Sequence, residues 1–404
     1  MTEDATAPTP DHATGRTGWT CQADQASRTG GTGQTSGTGG TDGSGGTGQE
    51  APARQHGRLT PLNADDRPPA ELRPGQWLSA HVYYSADRDP LLSDCVRPLF
   101  TRLRREGLAQ GCYFLRHWLE GAHLRLRIQP AGLSAVPALT RVVEEEVGAY
   151  LRRHPAVHDP RTELSDALYR RRFHLEFSEA QWNARYGPDT TRMPRRPDNT
   201  LAYLAYEPEV ARYRGPAGVA LAEWHAQYSS DLVLSLLAST ATRSGSARLG
   251  TAAQLIAALA LSVLRDTHRA VAFLDDRMAA WQTLFHERYS SYDAAYQRMA
   301  GPLGDKVTAL CAGILDGQSD RLTGYVHRWA EHGDALRTRI DEATRRGELV
   351  SDTTCGTTRP VDPDTARNVL LALFTHMLCN RLGVTASSED YLAFVLRRAL
   401  AERG

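Results

Sequence analysis

Lysine is almost missing from this chain: of 47 basic residues only Lys306 is a lysine, and the rest are arginine. So broad a bias is compositional first, and most single arginines carry little weight as evidence of chemistry. Net charge is missing too, because 47 acidic side chains cancel the 47 basic ones. That removes the wide electrostatic footprint that nucleic acid or an anionic membrane would need, so recognition by charge must be local. Cysteine is scarce and scattered. Cys21, Cys95, Cys112, Cys311, Cys355 and Cys379 form no CxxC pair and follow no signal peptide, and the expectation is reduced thiols in the cytoplasm. The longest apolar stretch, 252–264, is too short to span a bilayer and contains Gln254 and Ser262, so no membrane contact is expected. A phosphate loop, a dinucleotide fingerprint set between a strand and a helix, and a Gly-x-Ser-x-Gly elbow are all absent, and no cofactor is implied. His154 and His158 have the helical metal spacing, but Pro155 and Pro160 interrupt any helix and no third ligand follows, so no metal site is read there.

Residues 1–58 have few apolar side chains and are rich in Gly, Thr, Ser and Gln. They cannot bury enough surface to offset the entropy of ordering and read as a disordered tail. Residues 59–404 remain, enough for one large domain or two closely packed lobes.

What is present is organised around 123–128, His-Leu-Arg-Leu-Arg-Ile. As a strand, its period of two puts Leu124, Leu126 and Ile128 on one face and His123, Arg125 and Arg127 on the other. Two guanidiniums about 7 Å apart can grip one anion and are costly to bury without one. Before this strand come an alternating aromatic strand at 77–84, a helical pattern at 90–106, and a strand at 112–118 that forms a hairpin with 123–128 through Glu120-Gly121. A helix at 136–152 follows. The order strand, helix, strand, strand, helix predicts an α+β fold, a mainly antiparallel sheet with helices packed on one face and the arginines on the other. Residues 153–199 are polar and Arg-rich, read as solvated surface, and 200–206 is a further strand. Helical patterns then dominate at 217–237, 251–265, 271–289, 322–346 and 363–382, giving a helical C-terminal half. In the last of these, His376 falls beside Val369, Leu373 and Asn380 on the apolar face, with Arg381 at its edge. Cys379 beside it reads as a buried small hydrophobe.

Taken in order over about 76–385, the 77–84 strand, Gly121-Ala122-His123-Leu124-Arg125-Leu126-Arg127, Tyr206-Glu207-Pro208-Glu209-Val210-Ala211-Arg212-Tyr213 and His376-Met377-Leu378-Cys379-Asn380-Arg381-Leu382 resemble the C-terminal domain of lantibiotic dehydratases, which also occurs as a stand-alone thiopeptide-type bacteriocin biosynthesis protein. The resemblance implies one of two chemistries on a ribosomally made precursor peptide. One is removal of glutamate from glutamylated Ser or Thr, leaving a dehydroamino acid; the other is a formal [4+2] cycloaddition of two dehydroalanines to a pyridine. A non-catalytic scaffold that binds the precursor peptide is the third reading. The family's eliminating members carry three arginines and a histidine that match Arg125, Arg127, Arg212 and His376, which favours elimination. On that reading Arg125 and Arg127 hold the glutamyl group, Arg212 completes the pocket, and His376 moves the proton. His123, Tyr213, Asn380 and Arg381 are expected to bind substrate. The chain carries no large glutamylation domain, so a separate glutamylation protein that uses glutamyl-tRNA is an expected partner, with no direct contact to nucleic acid here; a homodimer is the oligomeric state allowed for. Relatives usually continue Arg-Tyr-Gly-Gly, whereas Arg214 stands at the first glycine here.

Overall fold

A computed structural model describes residues 72–403, apart from 74, 158–164, 240–241, 243 and 353–357. The expected tail at 1–58, Cys21, Cys355 and His158 lie outside the described residues. The described residues form two compact units, 165–194 on the one hand and 72–157 with 195–403 on the other.

In the larger unit, β1 (Leu78–Tyr83) leads into α1 (Arg88–Leu91), a π-helical turn at Leu92–Val96 and α2 (Arg97–Arg105). The single helix expected at 90–106 is thus interrupted by a locally widened turn. Pro98 falls in the first turn of α2, where its missing N–H costs nothing. β2 (Ala109–His117) and β3 (His123–Pro130) form the expected hairpin, with Glu120 at φ 62° and Gly121 at φ 121° making the turn. After α3 (Val136–Arg153) the sheet is completed by β4 (Thr200–Tyr203), and the strands run in the order β2-β3-β1-β4, each pair antiparallel.

Register decides the two faces of this sheet. Leu78, Ala80 and Val82 lie opposite Ile128, Leu126 and Leu124, and all six are fully buried. α2 contacts β2 and α3 contacts β4, so the two helices cover the sheet from edge to edge. The opposite face collects Ser79, His81 and Tyr83 from β1, His123, Arg125 and Arg127 from β3, and Tyr113, Leu115 and His117 from β2.

The smaller unit holds α4 (Asp166–Glu176) and α5 (Glu179–Tyr186), in a stretch expected to be solvated surface. Ser165 and Ser178 cap the two helices, the second through a capping box with Gln181. Its small core is aromatic, with Trp182 packed against Phe173 and Tyr186 and Arg170 lying over the Trp182 ring at 5.0 Å. The arginine run is therefore partly packed.

The helical half of the larger unit comprises α6 (Pro216–Leu237), α7 (Gly245–Leu264), α8 (Thr267–Phe285), α9 (Tyr289–Ile314), α10 (Gly324–Arg345), a hairpin of β5 (Val350–Asp352) and β6 (Thr358–Pro360), α11 (Pro363–Leu382) and α12 (Ala386–Ala401). The fold is α+β with a helical C-terminal half. α7 begins earlier than the sequence suggests, at the Ser244 cap, and is long and apolar enough to cross a membrane; it is the buried core helix of this layer, 72% of its apolar window being enclosed. α9 is unexpected because Gly301, Pro302 and Gly304 interrupt its pattern, yet it continues through Pro302.

β2 is an edge strand, and its outer backbone groups are met by side chains from the helical half. Ser230 of α6 accepts from the Phe114 N–H at 3.1 Å. Asn380 of α11 accepts from the Arg116 N–H at 2.9 Å and donates to its carbonyl at 2.8 Å, while Arg381 donates to the Phe114 carbonyl at 3.1 Å. Leaving such groups unmet in a buried place costs about 1–3 kcal/mol each, so this seam welds sheet to helices and closes an edge open to aggregation.

Candidate functional site

The cationic face of the sheet is the candidate site, and it follows from strand alternation. Arg127 is 5% exposed. Its Nη1 donates to Ser79 Oγ and, at 3.2 Å, to His81 Nε2, and its guanidinium lies 5.3 Å from the centre of the Tyr206 ring. Its Nε is buried without a partner, and among the described residues no carboxylate forms an ion pair with it. A buried cation left with neutral neighbours is expensive, so burial pulls its pKa down from the usual arginine value.

The histidines beside it explain how the arginines are held. Arginine can only donate, so the nitrogen that meets it must carry a lone pair. His81 therefore accepts through Nε2 from Arg127 and keeps its proton on Nδ1. His123 does likewise, accepting through Nε2 from Arg125 Nε at 3.4 Å while its Nδ1–H donates to the Gly121 carbonyl at 2.8 Å. Burial, and after it the charge of Arg125, hold both histidines well below the ordinary range and neutral near pH 7. Their rings stack at 5.0 Å, and Tyr83 and His117 pack on His123 at 4.6 and 5.2 Å. Arg125 and Arg127 thus each donate to a neutral imidazole, which at Arg127 leaves the charge uncancelled. Sequence reading named His123, Arg125 and Arg127 but missed Ser79 and His81; the alternation of 77–84 carried that signal once β1 is paired antiparallel to β3.

The segment 206–215 runs from this face toward the helices. Tyr113 Oη donates to Tyr206 Oη at 3.4 Å, and Tyr206 Oη donates to Glu223 Oε1 at 2.6 Å. Arg212 pairs with Glu209 at 3.1 Å on the segment's outer side, and Tyr213 stacks on Phe374 of α11, ring centres 6.4 Å apart. Gly218 of α6 fixes this course, since a Cβ there would stand 1.5 Å from the Tyr213 carbonyl oxygen.

α11 divides its motif between two surroundings. His376 is buried in the helical layer, its Nδ1 2.8 Å from Glu389 Oε2 of α12. Despite complete burial, Glu389 keeps a pKa below the usual value because His376 and then Arg277 compensate its charge. No sequence spacing pointed to Glu389. Asn380 and Arg381, expected at the substrate, spend the hydrogen bonds described above on β2. The structure therefore brings His123, Arg125 and Arg127 together, sets Arg212 and Tyr213 on the segment that leaves them, and places His376 against Glu389.

The model of the lantibiotic biosynthesis dehydratase C-terminal family matches residues 77–400, which is most of the chain. The chain belongs to that family. No curated protein sequence matches it. Among solved structures, the pyridine synthase TbtD from thiomuracin biosynthesis is 22% identical with a TM-score of 0.63, the match covering 81% of this chain and 98% of that one. TsrL is 15% identical with a TM-score of 0.54, over 81% and 95% of the two chains. The tRNA-dependent lantibiotic dehydratase MibB from Microbispora sp. 107891 is 20% identical with a TM-score of 0.47, the match covering 85% of this chain and 29% of MibB. At these identities the likeness is one of fold. Family membership makes this a component of the biosynthesis of ribosomally made, post-translationally modified peptides.

Proposed function

We propose that the chain eliminates glutamate from glutamylated Ser or Thr of a precursor peptide, after a separate glutamyl-tRNA-dependent protein has installed it, in the cytoplasm. The observation that supports this is the buried, carboxylate-free Arg127 beside Arg125. In the elimination a base takes the α-proton, the Cβ–O bond breaks, and glutamate departs as a carboxylate. Fixed guanidiniums aimed at that developing charge, in a place that excludes water, favour the step. Cycloaddition of two dehydroalanines releases no carboxylate. Arg125 and Arg127 receive the leaving carboxylate, Arg212 and Tyr213 border the peptide, and His376 moves the proton. Glu389 accepts from Nδ1 of His376, which leaves Nε2 as the nitrogen that exchanges the proton.

Mass spectrometry of a synthetic glutamylated peptide incubated with the protein tests the reading. The expected product lacks one glutamate and contains one dehydroamino acid, and His376→Ala and Arg127→Met lose it. A peptide with two dehydroalanines is the second arm. Conversion of that peptide to a pyridine macrocycle, with the glutamylated peptide untouched, overturns the proposal.

A further inference from the structure

Two donors on the sheet face have no acceptor. His81 is 3% exposed with Nδ1 unpartnered, and Nε of Arg127 is buried and unpartnered in the same way. They flank one hydrogen bond, from Arg127 Nη1 to His81 Nε2. Register explains the pairing: Ser79 lies directly opposite Arg127 and His81 opposite Arg125, so His81 is the diagonal neighbour that a long side chain reaches. Because Arg127 must donate, the His81 proton sits on Nδ1, and both unmet groups are N–H donors. Stacking of His81 on His123 at 5.0 Å fixes the ring. A carboxylate in place of His81 would hold Arg127 more firmly and cancel its charge; the neutral imidazole holds it and leaves the charge for a ligand.

We infer that His81 is the positioning residue of an anion subsite, holding Arg127 through Nε2 while Nε–H of Arg127 donates to an oxygen of a bound carboxylate. This rests on the reading that the face binds a carboxylate and is independent of whether elimination follows. The ligand class is a short dicarboxylate of glutamate's length or a peptide-borne glutamyl group.

Glutarate serves as the probe, titrated calorimetrically into the full chain and into His81→Gln, His81→Glu and Ser79→Asp. Gln offers Arg127 a neutral acceptor and keeps a donor, so its affinity stays within about threefold of wild type. His81→Glu and Ser79→Asp place a carboxylate on Arg127 and weaken glutarate by about tenfold or more, with no fall in melting temperature. If a variant does not fold, the wild-type protein still decides: in arginine-labelled nuclear magnetic resonance spectra the Nε–H of Arg127, assigned from Arg127→Met, shifts on saturation with glutarate. An unmoved Arg127 resonance, or wild-type affinity in His81→Glu, overturns the inference. Failure to eliminate glutamate while glutarate follows the expected pattern removes the proposed activity and leaves the subsite; elimination by His81→Glu at the wild-type rate does the reverse.

Discussion

Arg116 and Arg127 stand on neighbouring strands, each 5% exposed. Arg116, on the helix-covered face, pairs with Asp89, which also pairs with Arg248, and donates to the Arg381 carbonyl at 3.0 Å. Arg127, on the opposite face, meets a serine, a neutral histidine and a tyrosine ring. Both have their pKa lowered by burial, but Asp89 opposes the shift at Arg116, whereas at Arg127 only the phenols of Tyr113 and Tyr206 do. Burial alone does not separate a structural arginine from a binding one; the charge of its partners does. Arg381 lies between the two, fully buried with its pKa pulled down to about 10, but with its donors met by carbonyls and Ser229.

Swapping each arginine for a leucine breaks the comparison most directly. Arg116→Leu strands Asp89 with Arg248 alone and should cost about 3 kcal/mol or more in urea unfolding, the usual penalty for removing one partner of a buried pair. Arg127→Leu removes a charge that no carboxylate compensates, so stability should hold or rise while glutamate elimination falls at least about a hundredfold. Equal destabilisation by the two substitutions would show that Arg127 is also a structural group.

Acid should sharpen the same contrast. His81 and His123 have folded pKa values depressed below an unfolded value of about 6.5, so the unfolded chain binds more protons in this window. Their contribution is complete above pH 6.5 and is lost as pH falls. Between pH 6.5 and 5.5 the loss should be about 1 kcal/mol for each. His225 and His332, buried and neutral in the helical layer, add to the same window. Arg116 and then Arg248 hold Asp89 below the usual carboxylate value in spite of its burial, so its share disappears only as pH falls further. Unfolding free energies at a series of pH values should therefore fall in two stages, with the first stage reduced in His81→Gln.

Much of this was legible in the chain. Alternation gave the sheet, its apolar face and the line His123, Arg125, Arg127, because a period of two admits one partition of side chains. The cap at Asp362 gave α11, which begins as expected with Asp362 accepting from the Thr365 N–H. What periodicity could not supply was partner identity. The spacing of His376, Asn380 and Arg381 is compatible with one shared pocket, yet the helix turns His376 toward Glu389 and the other two toward β2. The carboxylate that meets His376 lies across a turn on another helix, and the serine and histidine that hold Arg127 come from a strand more than forty residues earlier. Such pairings are set by tertiary register, which local pattern does not encode.

The smallest expected effect concerns a third arginine. Arg214 takes the left-handed backbone at φ 65°, a geometry glycine adopts freely, and the Val350 N–H donates to its carbonyl at 2.8 Å, so β5 holds the conformation in place. A non-glycine residue pays about 1–2 kcal/mol for that geometry, while glycine would lose more entropy on folding, about 0.5–1 kcal/mol. The difference leaves Arg214→Gly more stable by up to about 1.5 kcal/mol, set against Arg214→Ala, which loses the same side chain but keeps the strain. If Gly and Ala variants unfold at the same urea concentration, backbone strain is not what distinguishes this position. If both are destabilised alike while glutarate binding weakens, Arg214 contributes its charge to the site and resembles Arg127 more than Arg116.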